Sequence, residues 1–251
     1  MEADYAARIR LVAERVWWTS LDFVFPPRCA HCQRAGERLC ALCCSQIEYL
    51  ADPICEQCGF PLDDTPTTGK CRQCRRTPFP GTGLRSLAFH SGPLRKAVHA
   101  LKYSKSTSLS ETLAGLMARR WPAGLPSNAI LMPVPLSLAR MRERGFNQAE
   151  LLARQLGEYR RLPVMADALL RTRATPPQVG LSGDQRRQNV MGAFAVDPLK
   201  VKNLDIILID DVCTTGATLG ACAGPLLQSG AAQVWAYTVT RARGDDADKL
   251  P

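Results

Sequence analysis

The sequence is short of residue types that several functions need. Aromatic residues make up only 6% of its 251 positions and form no ladder along the chain, which argues against a dedicated single-strand nucleic-acid binder that stacks successive bases. Histidines number three, His31, His90 and His99. One falls in a cysteine-rich stretch and two lie near an early strand and helix. Each reads as a packed or surface residue, so no general base stands out. No Gly-Lys-Ser/Thr triplet is present, which excludes a Walker A nucleotide loop. The N-terminal stretch 5–25 carries Arg8, Arg10, Glu14, Arg15 and Asp22, so it reads as neither a secretory core nor a membrane span. A cytoplasmic protein with no membrane span is expected.

Cysteine, by contrast, is plentiful. Nine of the 11 cysteines fall between Cys29 and Cys74, eight of them in four CxxC pairs: Cys29/Cys32, Cys40/Cys43, Cys55/Cys58 and Cys71/Cys74. The stretch has few apolar runs, so it cannot hold a core without metal. Two tetrahedral Cys₄ zinc sites are the simplest proposal, with structural Zn²⁺ in one or both. Sequential and interleaved pairings are both open, as is a single ion, and Cys44 could stand in for Cys43. An Fe–S cluster or a redox dithiol would use the same residues. The formal charge of +9 suggests an anionic partner, yet eight thiolates and two dications would lower it to about +5. Arg72, Arg75 and Arg76 would give the module a basic surface.

From residue 84 the pattern changes to alternating strands and helices. Strands are expected at 84–90, 129–132, 193–196, 206–209 and 234–240. Helices are expected at 93–103, 108–121, 147–159 and 215–228. Ser108 and Glu111 suit a capping box, and Asn147 suits an N-cap. Residues 171–190 lack periodicity and read as a long mobile loop. The organisation is a helix at 5–20 within segment 1–27, a cysteine module at 28–78, a linker, an α/β domain with a mainly parallel sheet at 84–244, and a tail at 245–251.

The most informative segment runs from Ile206 to Leu219. An apolar strand, Ile206–Ile209, delivers Asp210 and Asp211. The small-residue turn Val212-Cys213-Thr214-Thr215-Gly216 follows, and Ala217 and Thr218 open a helix. Turn N–H groups and the helix start would face a phosphate there, and threonine hydroxyls can add donors. Two carboxylates beside a phosphate make sense once ribose is added: they accept from sugar hydroxyls and attract Mg²⁺. Cys213 reads as a small packing residue.

This segment closely resembles the signature of the type I phosphoribosyltransferases, in which hydrophobics precede two acids and a T-T-G-x-T turn. The chain as a whole, from about Phe25 to Arg241, resembles the ComF family of bacterial competence proteins. The pieces are Phe25-Pro26-Pro27-Arg28-Cys29, the CxxC pairs, Leu101-Lys102-Tyr103, and Pro133-Val134-Pro135 followed by Arg140 and Arg144-Gly145-Phe146-Asn147-Gln148. Arg171-Thr172, Gln178, Leu181, Arg186 and Asn189 continue the series. Ser104-Lys105 stands where a glycine is expected.

The resemblance implies a type I phosphoribosyltransferase-like domain, with its mainly parallel sheet flanked by helices, behind a double zinc ribbon. It implies phosphoribosyl pyrophosphate (PRPP) with Mg²⁺ as ligand. Asp210 and Asp211 would be the catalytic pair holding the ribose, with Lys102, Arg140 and Arg144 on the phosphates. Arg186 and Arg187 belong to the lid of that fold, although surface positions are the default for them. Two functions share this loop: a phosphoribosyltransferase of unknown acceptor, or a non-catalytic PRPP sensor and DNA-processing accessory. The latter would work with single-stranded DNA or a DNA-uptake helicase.

Overall fold

The computed structural model describes residues 26–62, 69–104, 106–173 and 183–243. The helix expected at 5–20, the tail, Gln178 and Leu181 lie outside the described residues. In chain order, the cysteine module carries α1 (Ala41–Cys44) and α2 (Arg72–Arg76). Next come β1 (Gly83–Phe89), α3 (Gly92–Tyr103), α4 (Leu109–Arg119), β2 (Ile130–Pro133), α5 (Leu138–Arg144) and α6 (Gln148–Arg160). The chain continues with β3 (Leu169–Arg171), α7 (Gly183–Val190), β4 (Phe194–Val196) and α8 (Pro198–Val201). It closes with β5 (Asp205–Cys213), α9 (Ala217–Gln228) and β6 (Gln233–Arg241).

Four strands form an all-parallel sheet in the order β1-β6-β5-β2. Successive side chains of a strand point to opposite faces, and here both faces are buried. Ile207, Ile209, Tyr237 and Val239 join Leu94, Leu101, Leu113, Leu152 and Leu156 in one apolar cluster. Ile206, Leu208, Val234 and Ala236 join Leu219, Cys222 and Leu226 in the other. That is why the central strand reads as an unbroken apolar run rather than an alternating one. The Tyr237 hydroxyl donates to the carbonyls of Met117 and Arg120, closing the end of α4.

Both edges of the sheet are covered, which removes the open rows of backbone donors and acceptors that invite association. Along β1, Leu50 N–H donates to Leu87 O at 3.2 Å and Phe89 N–H to Glu48 O at 2.9 Å, so the cysteine module is the cover. Along β2, Leu131 N–H donates to Pro163 O at 2.9 Å and Met165 N–H to Leu131 O at 3.0 Å. Segment 77–83, expected as a linker, lies against the sheet: Thr82 N–H donates to Val234 O at 2.7 Å and Phe79 is buried.

Two local expectations are corrected. Ser108 and Glu111 form no capping box. Ser108 is already in helical backbone (φ −62°, ψ −18°) and its side chain caps nothing. The chain enters α4 through a turn instead, with Leu109 N–H on Ser106 O and Ser110 N–H on Thr107 O, so those donors are met by backbone carbonyls. Within 171–190, residues 183–190 are helix and not loop. Asn147 does cap α6, its Oδ1 accepting from Ala149 N–H at 3.0 Å, while its Nδ2 donates to Val134 O at 3.0 Å.

Candidate functional site

At the carboxyl end of a parallel sheet, a crevice opens where neighbouring strands send their chains in opposite directions. Here β5 leads through α9 towards β6, while β2 leads into the segment that carries α5. Between them lies a cleft of about 420 Å³. Asp210, Asp211, Val212, Thr214 and Thr218 line one side. Val134–Ser137 and α5 line the other, with Lys102 and Tyr103 at the end of α3.

The turn after β5 is built by its small residues. Gly216 takes the left-handed conformation (φ 78°) and caps α9, a backbone that costs a side-chain-bearing residue about 1–2 kcal/mol. Thr215 Oγ1 accepts from Ala217 N–H at 3.3 Å, so this threonine holds the turn rather than facing the cleft. Cys213 is buried, as a packing residue, and burial pushes its thiol up. Of the loop expected to face a ligand, Val212, Thr214 and Thr218 do face the cleft; Cys213, Thr215, Gly216 and Ala217 shape it from behind.

The acid pair is tightly held. Asp210 Oδ1 accepts from Asp211 N–H at 2.8 Å. The Asp211 carbonyl accepts from Thr240 Oγ1 at 3.2 Å, and that threonine meets His90 Nδ1 at 2.7 Å. Asp211 is 3% exposed. Its Oδ2 lies 2.9 Å from the Lys102 ammonium, an ion pair whose angle falls short of a hydrogen bond. Burial, then the neighbouring Asp211 charge, push the Asp210 carboxyl up to about 8. Two adjacent carboxylates in one desolvated pocket do not both ionise readily.

Five cations line the cleft, Lys102, Arg140, Arg144, Arg171 and Arg186, against the three acids Glu143, Asp210 and Asp211. Arg144 ends α5, is 7% exposed, donates to Gln148 Oε1 at 2.9 Å and stacks 5.0 Å from the Tyr103 ring. Arg186 overturns its expected surface position: it is 1% exposed and donates to Thr214 Oγ1 at 3.1 Å. Arg171 was legible only as part of a family motif, yet it faces the same cleft. Burial, and Arg140 beside it, lower its pKa. His90 packs under the strand ends and His99 lies 4.7 Å from the Tyr103 ring; neither lines the cleft.

The thiols gather into two separate clusters, Cys29/Cys32/Cys40/Cys43 and Cys55/Cys58/Cys71/Cys74, each with all sulfurs within 4.8 Å of one another. The pairing is therefore sequential, and Cys44 stands outside, directed to Leu39 O. Four thiolates about 2.3 Å from a tetrahedral zinc have sulfurs about 3.8 Å apart. Cys32 and Cys40 are 3.7 Å apart, as are Cys58 and Cys71. The donor set fits zinc in both clusters. Burial alone would raise the Cys29 thiol, but backbone N–H groups of Cys32, Cys40 and His31 bring it down to about 6. That favours the thiolate at this position, while burial and the neighbouring thiols push Cys43 of the same cluster up.

Among the described residues no helix is long and apolar enough to cross a membrane. Residues 20–75 match the double zinc ribbon domain. The chain is 35% identical to the DNA utilization protein YhgH of Escherichia coli O157:H7, over 78% of this chain and 88% of that one. It is 30% identical to competence protein F of Haemophilus influenzae, over 86% and 97%. With competence protein ComFC of Bacillus subtilis the identity is 28%, over 91% of each chain. Among solved structures it is similar to the glutamine PRPP amidotransferase of B. subtilis, with a TM-score of 0.37 and 17% identity over 53% of this chain and 26% of that one, a likeness too distant to bear on function. The paired cysteine clusters, the parallel sheet they dock on and the extent of these matches place the chain in the ComF family.

Proposed function

We propose that the cleft binds PRPP together with Mg²⁺, and that the protein serves a DNA-handling process as a phosphoribosyl-binding component. One observation carries this reading: the acid pair and the threonine turn at the end of β5 share a single cleft with five cations. A bare phosphate site has no use for two carboxylates. A ribose with phosphate at one end and pyrophosphate at the other uses both kinds of group.

In this reading, Thr214, Thr218 and the start of α9 take the 5-phosphate, with the helix dipole adding to the attraction. Asp210 and Asp211 hold the ribose hydroxyls. Arg140, Arg144 and Lys102 face the pyrophosphate, where planar guanidinium groups grip paired oxygens. When bound, Mg²⁺ supplies charge neutralisation of the pyrophosphate. If a nitrogen nucleophile then attacks C1 of the ribose, pyrophosphate leaves, and the acid pair favours the developing cationic sugar. The proton on Asp210 leaves as the dication and hydroxyls arrive, so binding strengthens as pH rises towards 8.

The relatives' names, DNA utilization and competence protein, support placing this site in DNA handling. The decisive measurement is titration calorimetry with PRPP and Mg²⁺ on the native chain and on Asp210→Asn/Asp211→Asn. Heat that saturates only in the native chain is expected; equal heats in both would sink the PRPP site. Pyrophosphate released on adding nucleobases or single-stranded DNA would mark a transferase. Saturable binding without release would mark a sensor.

A further inference from the structure

Arg241 is the last residue of β6, and its guanidinium turns away from the cleft into the cysteine module. It is 7% exposed. Nη1 donates to Cys58 O at 2.6 Å, Nη2 reaches Cys58 Sγ at 3.5 Å, and the group lies 5.2 Å from the Phe60 ring. Cys58 belongs to the second thiol cluster, of which Cys55, Cys58 and Cys74 are buried. A dication held by four thiolates leaves two negative charges in that buried place. Such charge persists only with a partner of opposite sign and hydrogen-bond donors to the sulfurs.

The same half of the module is keyed to the sheet at the turn between Cys55 and Cys58. Leu84 N–H donates to Gln57 O at 2.8 Å, Arg85 Nη2 donates to Glu56 O at 2.9 Å, and Gln57 Nε2 donates to Phe79 O at 2.8 Å. Gly59, at φ +65°, lets the Leu84 carbonyl come close; a Cβ there would stand 2.9 Å from that oxygen. The cluster and its guanidinium partner are thus brought together by docking, from positions 183 residues apart in sequence.

We propose that Arg241 is the internal counter-charge of the second cysteine cluster, so that this cluster holds its dication tightly only while the ribbon is docked on the sheet. The first cluster lacks this counter-charge, because Arg241's bonds run to Cys58 alone among the eight thiols; Cys29, Cys40 and Cys43 meet the sheet through apolar packing instead. The metal site also becomes a reporter of the strand ends. Arg241 pairs in register with Cys213, and Ala242 N–H donates to Cys213 O at 2.9 Å. The inference rests on metal binding by the cluster and stands apart from the PRPP reading.

The test uses the full chain loaded with zinc, with Arg241→Gln and Arg241→Lys, and follows release to a chromogenic chelator. In Arg241→Gln one of two ions should leave at least about tenfold faster, as expected when a group bonded to a metal ligand is removed. The other should keep the native rate. Arg241→Lys keeps the charge but loses the two-pronged grip, and should fall between. Combining Arg241→Gln with Cys29→Ser, which disables the first cluster, should leave the fast phase alone. With cobalt in place of zinc, the thiolate-to-metal absorption band of one site should shift in both Arg241 variants. Native rates for both ions overturn the proposal. So does equal acceleration of both, which would make Arg241 a general support of the fold. Should the glutamine chain not fold, the lysine chain decides: a native cobalt band overturns the proposal.

Discussion

Lys102→Met tests the electrostatics on which the site depends. Lys102 and Asp211 side chains are 12% and 4% exposed, and their charged atoms lie 2.9 Å apart. At an effective dielectric of about 20 the attraction is about 6 kcal/mol before desolvation is counted. Removing one member of such a pair leaves a buried carboxylate without its cation, at a cost of about 3–5 kcal/mol. The cleft admits water, so the lower end, about 3 kcal/mol, is expected, equivalent to a fall in Tm of about 6–12 °C. Asp211→Asn is milder, about 1 kcal/mol, because Lys102 sits at the rim and its ammonium can turn to solvent. The double variant should also lose about 1 kcal/mol rather than 4, a coupling of about 3 kcal/mol. Urea denaturation of all four chains at pH 7.5 measures this. A Lys102→Met chain within about 0.5 kcal/mol of native, or an additive double variant, would refute the pairing as a stabilising contact.

Three further outcomes follow from the same geometry. Asp210 keeps a proton up to about pH 8 when folded, against an ordinary value of 3.8, so the native chain loses stability as pH rises between those values. Asp210→Asn is neutral throughout, and its advantage over the native chain in thermal melts should grow from pH 5 to pH 8; an advantage constant with pH contradicts the assignment. Stripping the thiol clusters with a chelator should free the module from β1 and expose its edge. Light scattering should then rise and the Leu50 and Phe89 amides, bonded to Leu87 and Glu48, should lose their exchange protection; retained protection would mean that docking does not need metal. Asn147→Ala removes the α6 cap and the bond to Val134 O, and should cost about 2 kcal/mol by urea denaturation, with a loss under about 0.5 kcal/mol counting against the capping role.

Legibility in the sequence followed the physics of each element. The β5–turn–α9 unit was readable because a strand buried on both faces needs an unbroken apolar run, and because the turn allows only small and hydroxyl-bearing residues. The eight clustered cysteines were readable from CxxC spacing alone. Their sequential grouping was not, since spacing is silent on which knuckles fold together. The β3–β4 pair was only half visible: its strands have three residues each and pair antiparallel across 22 intervening positions, too short for a period to register. The Lys102–Asp211 pair joins α3 to β5, and only the folded sheet makes them neighbours.

Arg186 shows most clearly why a helix that lines the cleft can have no visible pattern. Amphipathic helices are found by apolar residues at spacings of three and four. The described buried positions of α7 are Arg186 and Val190, four apart, so the docking face exists but half of it is a guanidinium. That buried group donates to Thr214 in the turn after β5, and α7 packs on α9, the helix the turn begins. A helix anchored by an apolar stripe is positioned by the core. One anchored by a charge on the turn is positioned by the site, and whatever occupies that turn competes for or reinforces the same bond. The missing hydrophobic period and the place of Arg186 in the cleft therefore have one cause: this helix divides its docking face between Arg186, on the turn, and Val190, in the core.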